Sequence, residues 1–181
     1  MIIFALDAGF VLPGYAFFDT VTNTVINYGS VASSRTAKKE RKPAHFYVSH
    51  DDARRTQNIF STLDVLIKQI HPTFATVELP IGAGRSSSAV KGMAYATAIA
   101  AILLSNNGID DYLYVTPEQN KVASTGIKTA SKLQVLQGVS RRFQVNWKKD
   151  RNGSIDNPHN WAVADALSTI MYYESRPASA E

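Results

Sequence analysis

Three acidic residues occupy positions that a solvated carboxylate avoids. Asp7 closes the run Ile2-Ile3-Phe4-Ala5-Leu6, Glu78 closes Phe74-Ala75-Thr76-Val77, and Asp165 lies inside Trp161-Ala162-Val163-Ala164-Asp165-Ala166-Leu167. Burying a lone carboxylate is costly, or forces it to take up a proton. Of the 15 acidic residues in the chain, these three alone are set in apolar runs and are expected to be buried. Convergence on a cation accounts for them. A hard divalent ion takes oxygen ligands and keeps several waters. Two such ions held by shared carboxylates can activate water and stabilise the leaving oxygen in phosphodiester cleavage. Each acid also has a plainer reading. Asp7 before Ala8-Gly9 could bond its own turn, Glu78 could pair with Arg85 or Lys91, and Asp165 could face solvent on an otherwise buried helix.

The elements that must position these acids are legible as patterns. Ile2–Leu6 is a continuous apolar run, as in a strand covered on both faces. Turns at Pro13-Gly14 and Thr22-Asn23 separate strands at Tyr15–Phe18 and Val25–Val31, so an antiparallel meander opens the chain. Asp51-Asp52 precede a helix whose Ile59, Leu63, Leu66 and Ile70 form one stripe. Pro72 stops it, and Thr73–Leu79 is a strand. Ser88–Leu104 is expected to be a buried helix. Its Gly92, Ala96 and Ala100 form a smooth stripe, for packing on the sheet or for a subunit interface. A strand at Asp111–Val115 and helices at Ala130–Phe143 and Asn160–Tyr173 follow. The pattern is an α/β sheet with helices on its faces. Residues 1–176 are expected to form one domain, and 177–181 a flexible tail.

Bulk properties narrow the function classes. The chain has 181 residues, 45% hydrophobic and 19% charged, with a net charge of +4. That describes a folded domain and is only weak evidence for a polyanionic partner. With no cysteine, disulfides and thiolate metal sites are excluded. The stretch Ala94–Leu104 is shorter than the roughly 20 residues that span a bilayer. Without a visible targeting segment, no membrane role is expected, and a prokaryotic cytoplasm or phage-infected host is the default location. Residues Arg35 to Pro43 hold five basic residues and one acid, as either a solvated loop or a phosphate-contacting arm through Lys38, Lys39 and Arg41.

These residues resemble the RuvC-type Holliday junction resolvases of the RNase H-like superfamily. Asp7-Ala8-Gly9 stands where that family has an Asp-Pro-Gly-type turn, and Glu78 stands where its second acid belongs. Ser88-Ala89-Val90-Lys91-Gly92, Val115–Lys121, Thr125–Val135 and the terminal Asp165-Ala166-Leu167 follow in the family's order. The resemblance implies an RNase H-like mixed sheet, a three-strand antiparallel meander plus parallel strands, flanked by helices. It implies a homodimer that uses Mg²⁺ or Mn²⁺, two ions per site, and places paired symmetric nicks in a four-way DNA junction, leaving 5′-phosphates. It carries Asp7, Glu78 and Asp165 over as metal ligands and places Lys132 at the reacting phosphate. Arg85, Ser88, Lys91, Lys121 and Lys128 would contact DNA, Ser88 and Lys91 from a helix N-terminus.

The sequence departs from the family at two places. The family has an Asp or His one helical turn before its last acid, and here that residue is Ala162. His159, six residues ahead of Asp165, is the candidate fourth ligand from the entry turn of the helix, with Asp156 nearby. Ile81 stands where the family can carry a base-stacking aromatic, a role open to Phe46 or Tyr47. Three rival readings remain: another RNase H-like nuclease on branched DNA or RNA–DNA hybrids, a non-catalytic junction-binding protein, and an actin-like ATPase, which the chain length disfavours.

Overall fold

The structure, a computed structural model, describes residues 1–33, 48–80 and 86–177. The opening apolar run becomes β1 (Ile2–Asp7), the middle of a five-stranded sheet. It pairs antiparallel with β2 (Gly14–Asp19), which pairs antiparallel with β3 (Thr24–Ser30). On its other side β1 pairs parallel with β4 (Phe74–Glu78), and β4 pairs parallel with β5 (Tyr112–Val115). The order is β3-β2-β1-β4-β5, the expected mixed sheet. Asn23 takes a positive φ of 56° in the β2–β3 turn, a conformation asparagine tolerates.

The helices are α1 (Val48–Ile70), α2 (Ser87–Asn106), α3 (Pro117–Thr125), α4 (Lys132–Arg142) and α5 (Pro158–Ser175). Alternation along the strands divides the core in two. Phe4, Leu6, Ala75 and Val77 face α1 and α2, where Ile59, Leu63, Ile99 and Leu103 meet them. Ile3, Ala5, Ala16 and Phe18 face α4 and α5, where Leu136, Val139, Leu167 and Ile170 meet them.

Three expectations are corrected. Asp51 and Asp52 are buried as well, at 4% and 6% exposure. Helix α1 starts at Val48, so both acids lie inside it rather than ahead of it, and Arg54 and Arg55 one turn on pair with them at 2.9 and 3.6 Å. Second, Ala96 and Ala100 point into the sheet, so the small-residue stripe is core packing and not a subunit interface. The face left outside carries Val90 and Ile102, both at least half exposed, so α2 is not a buried helix. Third, α2 is long and apolar enough, by length and composition, to cross a membrane, although the stretch Ala94–Leu104 alone is not. Here its inner side packs on the sheet.

Helix α5 lies across the sheet and steps about one strand per turn. His159 bonds Ser30 of β3 at 2.8 Å. Ala162 lies against Gly14 of β2, and Thr169 bonds Thr76 of β4 at 2.6 Å. Asp165 falls between the last two, level with β1. The approach at Gly14 is close: a Cβ there would meet the Ala162 carbonyl oxygen at 1.9 Å. Both neighbours are backbone, so neither can turn aside. We therefore expect Gly14→Ala to destabilise the protein by about 3 kcal/mol or more, read as a lowered urea midpoint. An unchanged midpoint would show that α5 does not seat on β2 as described.

Candidate active site

Asp7 and Glu78 end adjacent parallel strands and are direct register partners. Alternation sends both side chains to the α5 side, because Ile3, Ala5 and Thr76 on the same strands already face that helix. Asp165, 6% exposed, comes down from α5 onto the same spot. The three predicted acids are therefore brought together, each from a different element.

Their electrostatics record the crowding. Burial pushes the Asp7 carboxyl well above the usual range, and Asp165 and Glu78 push it further, against Lys132. Glu78 is pushed up to about 7 by burial and then by Asp165, against the Asn120 hydrogen bond, Lys132 and Lys121. Burial also raises Asp165, opposed by the Lys132 ammonium and, more weakly, by Lys121. Lys132 hydrogen-bonds and ion-pairs with Asp165 Oδ2. Burial acts against its charge, but Asp165, Asp7 and Glu78 outweigh that and raise its pKa.

Capping explains how Lys132 and Lys121 reach the acids. Ser131 caps α4 through a reciprocal box with Gln134, which starts the helix with Lys132 as its first residue. Thr116 caps α3 through the same box with Gln119, with Pro117 at the first turn. Strand β5 pairs with β4 up to the Val115–Glu78 level, so α3 starts beside Glu78. Asn120, one turn in, donates from Nδ2 to Glu78 Oε2 and, at 3.2 Å, to the Asp165 carbonyl. Asn120 was missed in the sequence. The Thr116-Pro117-Glu118-Gln119 signature could have revealed the helix, but not the partner of its asparagine.

The other predicted residues divide. His159 does not join the acids. Its Nδ1 bonds Ser30, and Ser30 is level with Asp7 but two strands away, roughly 10 Å at ordinary strand spacing. Six residues along α5 cannot return it to the face of Asp165. Asp156 accepts from the Trp161 indole at 2.7 Å instead. Lys128 is exposed and pairs with Glu118 at 2.6 Å. Ser88 and Lys91 lie in the first turns of α2, capped by Ser86, whose side chain accepts from the Ala89 N–H. They line a cavity of about 680 Å³ that also touches Ala8 and Gly9, next to Asp7. Lys38, Lys39, Arg41, Phe46, Tyr47, Ile81 and Arg85 lie outside the described residues.

The donor set fits a divalent cation. Its ligating atoms are all hard oxygens. Three mutually repelling carboxyls meet one closely paired ammonium, and a buried side-chain oxygen, Asn120 Oδ1, lacks a hydrogen-bond partner among the described residues. Among the described residues no three His, Asp or Glu side chains stand close enough, as they lie, to grip one ion. Lys132, half exposed on a flexible stem, holds the Asp165 carboxylate.

A five-stranded mixed sheet of this order, with acids at the ends of β1 and β4 and a third on the crossing helix, defines the RNase H-like class. Residues 3–170 match the family model described as Crossover junction endodeoxyribonuclease RuvC, and the chain belongs to that family. The Crossover junction endodeoxyribonuclease RuvC of Heliobacterium modesticaldum is 28% identical over 173 residues, covering 94% of this chain and 92% of that protein. The protein of the same name from Caldicellulosiruptor saccharolyticus is 26% identical over 175 residues, covering 94% and 90%. Among solved structures, Thermus thermophilus RuvC in complex with a Holliday junction substrate superposes with a TM-score of 0.69 at 16% identity, over 96% of this chain and 93% of that one. The yeast mitochondrial Holliday junction resolvase superposes at 0.60 and 14% identity, over 95% and 78%.

The raised Glu78 value has a consequence for cation-free protein. The folded state holds the Glu78 proton more tightly than the unfolded state, whose ordinary value is 4.5. Stability from this group is therefore complete below about pH 4.5 and is lost as pH rises through about 7. The loss is at most on the order of 3 kcal/mol. Urea unfolding in EDTA across that window should show the decline, and Glu78→Gln should flatten it. An equally steep decline in the Gln variant would place the proton elsewhere.

Proposed function

We infer that the chain is a structure-specific endonuclease that resolves four-way DNA junctions, with residues 1–176 as one catalytic domain acting in the cytoplasm. The observation that carries this reading is the Asp7–Glu78 register pair beneath Asp165, beside a groove that opens at the α2 N-terminus. Bound Mg²⁺ or Mn²⁺, two ions per site, would supply Lewis-acid polarisation of the scissile phosphate and acidify the attacking water.

The chain's own residues do the positioning. Asp7, fixed on the central strand, would hold the ions together with its register partner Glu78 and with Asp165 from α5. The Lys132 ammonium, freed from Asp165, would face the charge that builds on the phosphate. The first turn of α2 offers backbone N–H groups, and Lys91 a charge, to the DNA backbone in the groove. Lys121 acts from the α3 side. Attack by water in line with the leaving 3′ oxygen leaves a 5′-phosphate.

A four-way junction presents two equivalent strands, so symmetric nicks require two copies of the site. The exposed apolar face of α2, with Val90 and Ile102, suits a second copy of the chain. Ile102→Lys is expected to shift the protein from dimer to monomer in sedimentation. A sedimentation profile like that of the parent protein would remove this face from the interface.

A non-catalytic junction binder is the second reading. Ala162, with His159 engaged at Ser30, favours it. A labelled mobile junction with Mg²⁺ or Mn²⁺ separates the two. Paired nicks are expected, with Asp7→Asn and Glu78→Gln at least about a hundredfold slower yet still binding the junction. Affinity should drop steeply with salt as counterions are released. Cleavage by Asp7→Asn at the parent rate would refute the nuclease assignment.

A further inference from the structure

Asn120 has an unfinished hydrogen-bond inventory. The residue is 2% exposed. Its Nδ2 is occupied by Glu78 and the Asp165 carbonyl, while its Oδ1 is buried with no partner among the described residues. Buried acceptors are rarely left unmet, and each such case calls for a missing partner. Its own helix provides none, because Ser124 Oγ, one turn on, donates to the Asn120 backbone carbonyl at 2.9 Å. Packing alone does not require an amide here, since leucine has a similar size and no polar atom to strand.

Nδ2 holds the Glu78 side, so an oxygen ligand at the acids requires the other orientation of the amide. On α5, the residue one turn before Asp165 is Ala162, which has no oxygen to offer, and His159 is committed to Ser30. Asn120 reaches the Glu78 carboxylate and the Asp165 backbone carbonyl from α3. The two ends of an amide are assigned from their hydrogen bonds. Turned end for end, this amide would set its oxygen against the Glu78 carboxylate. Two bare oxygens repel each other there, whereas a cation between them is bound by both. Amide oxygens are ordinary ligands of hard divalent ions.

We propose that Asn120 supplies the side-chain oxygen that completes divalent-cation coordination beside Glu78 and Asp165, directly or through one water, in place of a ligand from α5. The proposal rests on the reading of the acid trio as a cation site. It makes α3 part of the site rather than a support for it.

The test is Mn²⁺ binding to the full chain without DNA, followed by the free-ion electron paramagnetic resonance signal, with melting in EDTA and in Mn²⁺. Asn120→Leu is expected to weaken Mn²⁺ binding by about tenfold or more and to shrink the rise in Tm from EDTA to Mn²⁺, each variant being read against its own Tm in EDTA. Asn120→Asp, which keeps an oxygen, should bind at least as tightly as the parent. Should the leucine variant fail to fold, Asn120→Ser, whose hydroxyl falls short of the site, should show the same loss. Parent-like Mn²⁺ affinity in a folded Leu or Ser variant overturns the proposal while leaving the cation site intact. A parent protein that binds no Mn²⁺, indistinguishable from Glu78→Gln, overturns the cation reading and this proposal with it.

Discussion

Like charges crowded into a poorly solvated space repel strongly, and this chain holds three of them on one side of its sheet. They cannot relax apart. Asp7 and Glu78 are locked as neighbours by the parallel β1–β4 ladder, and Asp165 is fixed by the seat of α5 on the strands. One ammonium, Lys132, offsets part of the repulsion at Asp165, and the Asn120 amide offsets part at Glu78. The rest appears as carboxyls that hold their protons far more tightly than usual. A site in this state gains by exchanging protons for a divalent cation, so the same repulsion that weakens the empty fold favours the loaded one.

The path of α5 converts that repulsion into geometry. A helix rises about 5.4 Å per turn and strands lie about 4.8 Å apart, so a helix laid across the sheet meets a new strand with each turn. Here the succession is Ser30, Gly14, Asp7 and Thr76. Every position on α5 is thereby assigned to a strand, and the assignment depends on a glycine that lets two backbones touch. Asp165 reaches the acids and His159 does not, although both are polar residues on one helix.

Helices α3 and α4 add what the sheet cannot. Each starts with a reciprocal cap and carries near its first turn one side chain that bonds the acids, Asn120 or Lys132. They are pressed together where Gly138 meets Ser124, at a point where a Cβ would lie 2.1 Å from a carbonyl oxygen. The amide and the ammonium are thus set on either flank of the same acids by short, rigid helices rather than by loops.

Much of this was readable along the chain. Apolar runs ending in an acid marked β1 and β4 and identified Asp7 and Glu78. The interruption of an apolar helix marked Asp165. The turns at Pro13-Gly14 and Thr22-Asn23 marked the meander. These signals are local: a carboxylate within an apolar run is anomalous whatever surrounds it. Other features depend on which element packs against which, and composition along one segment does not contain that. The stripe Gly92-Ala96-Ala100 was visible, but its facing the sheet was not. Asp51 and Asp52 read as solvated because arginines that neutralise them leave no mark in the pattern of apolar residues. His159 was near enough in sequence to be a ligand and was taken away by the slant of α5. Asn120 looked like any polar residue in a short helix, and became part of the site only when β5 delivered that helix beside Glu78. Residue type and periodicity are properties of the chain, while distance between residues far apart in sequence exists only after the sheet has closed and the helices have settled on it.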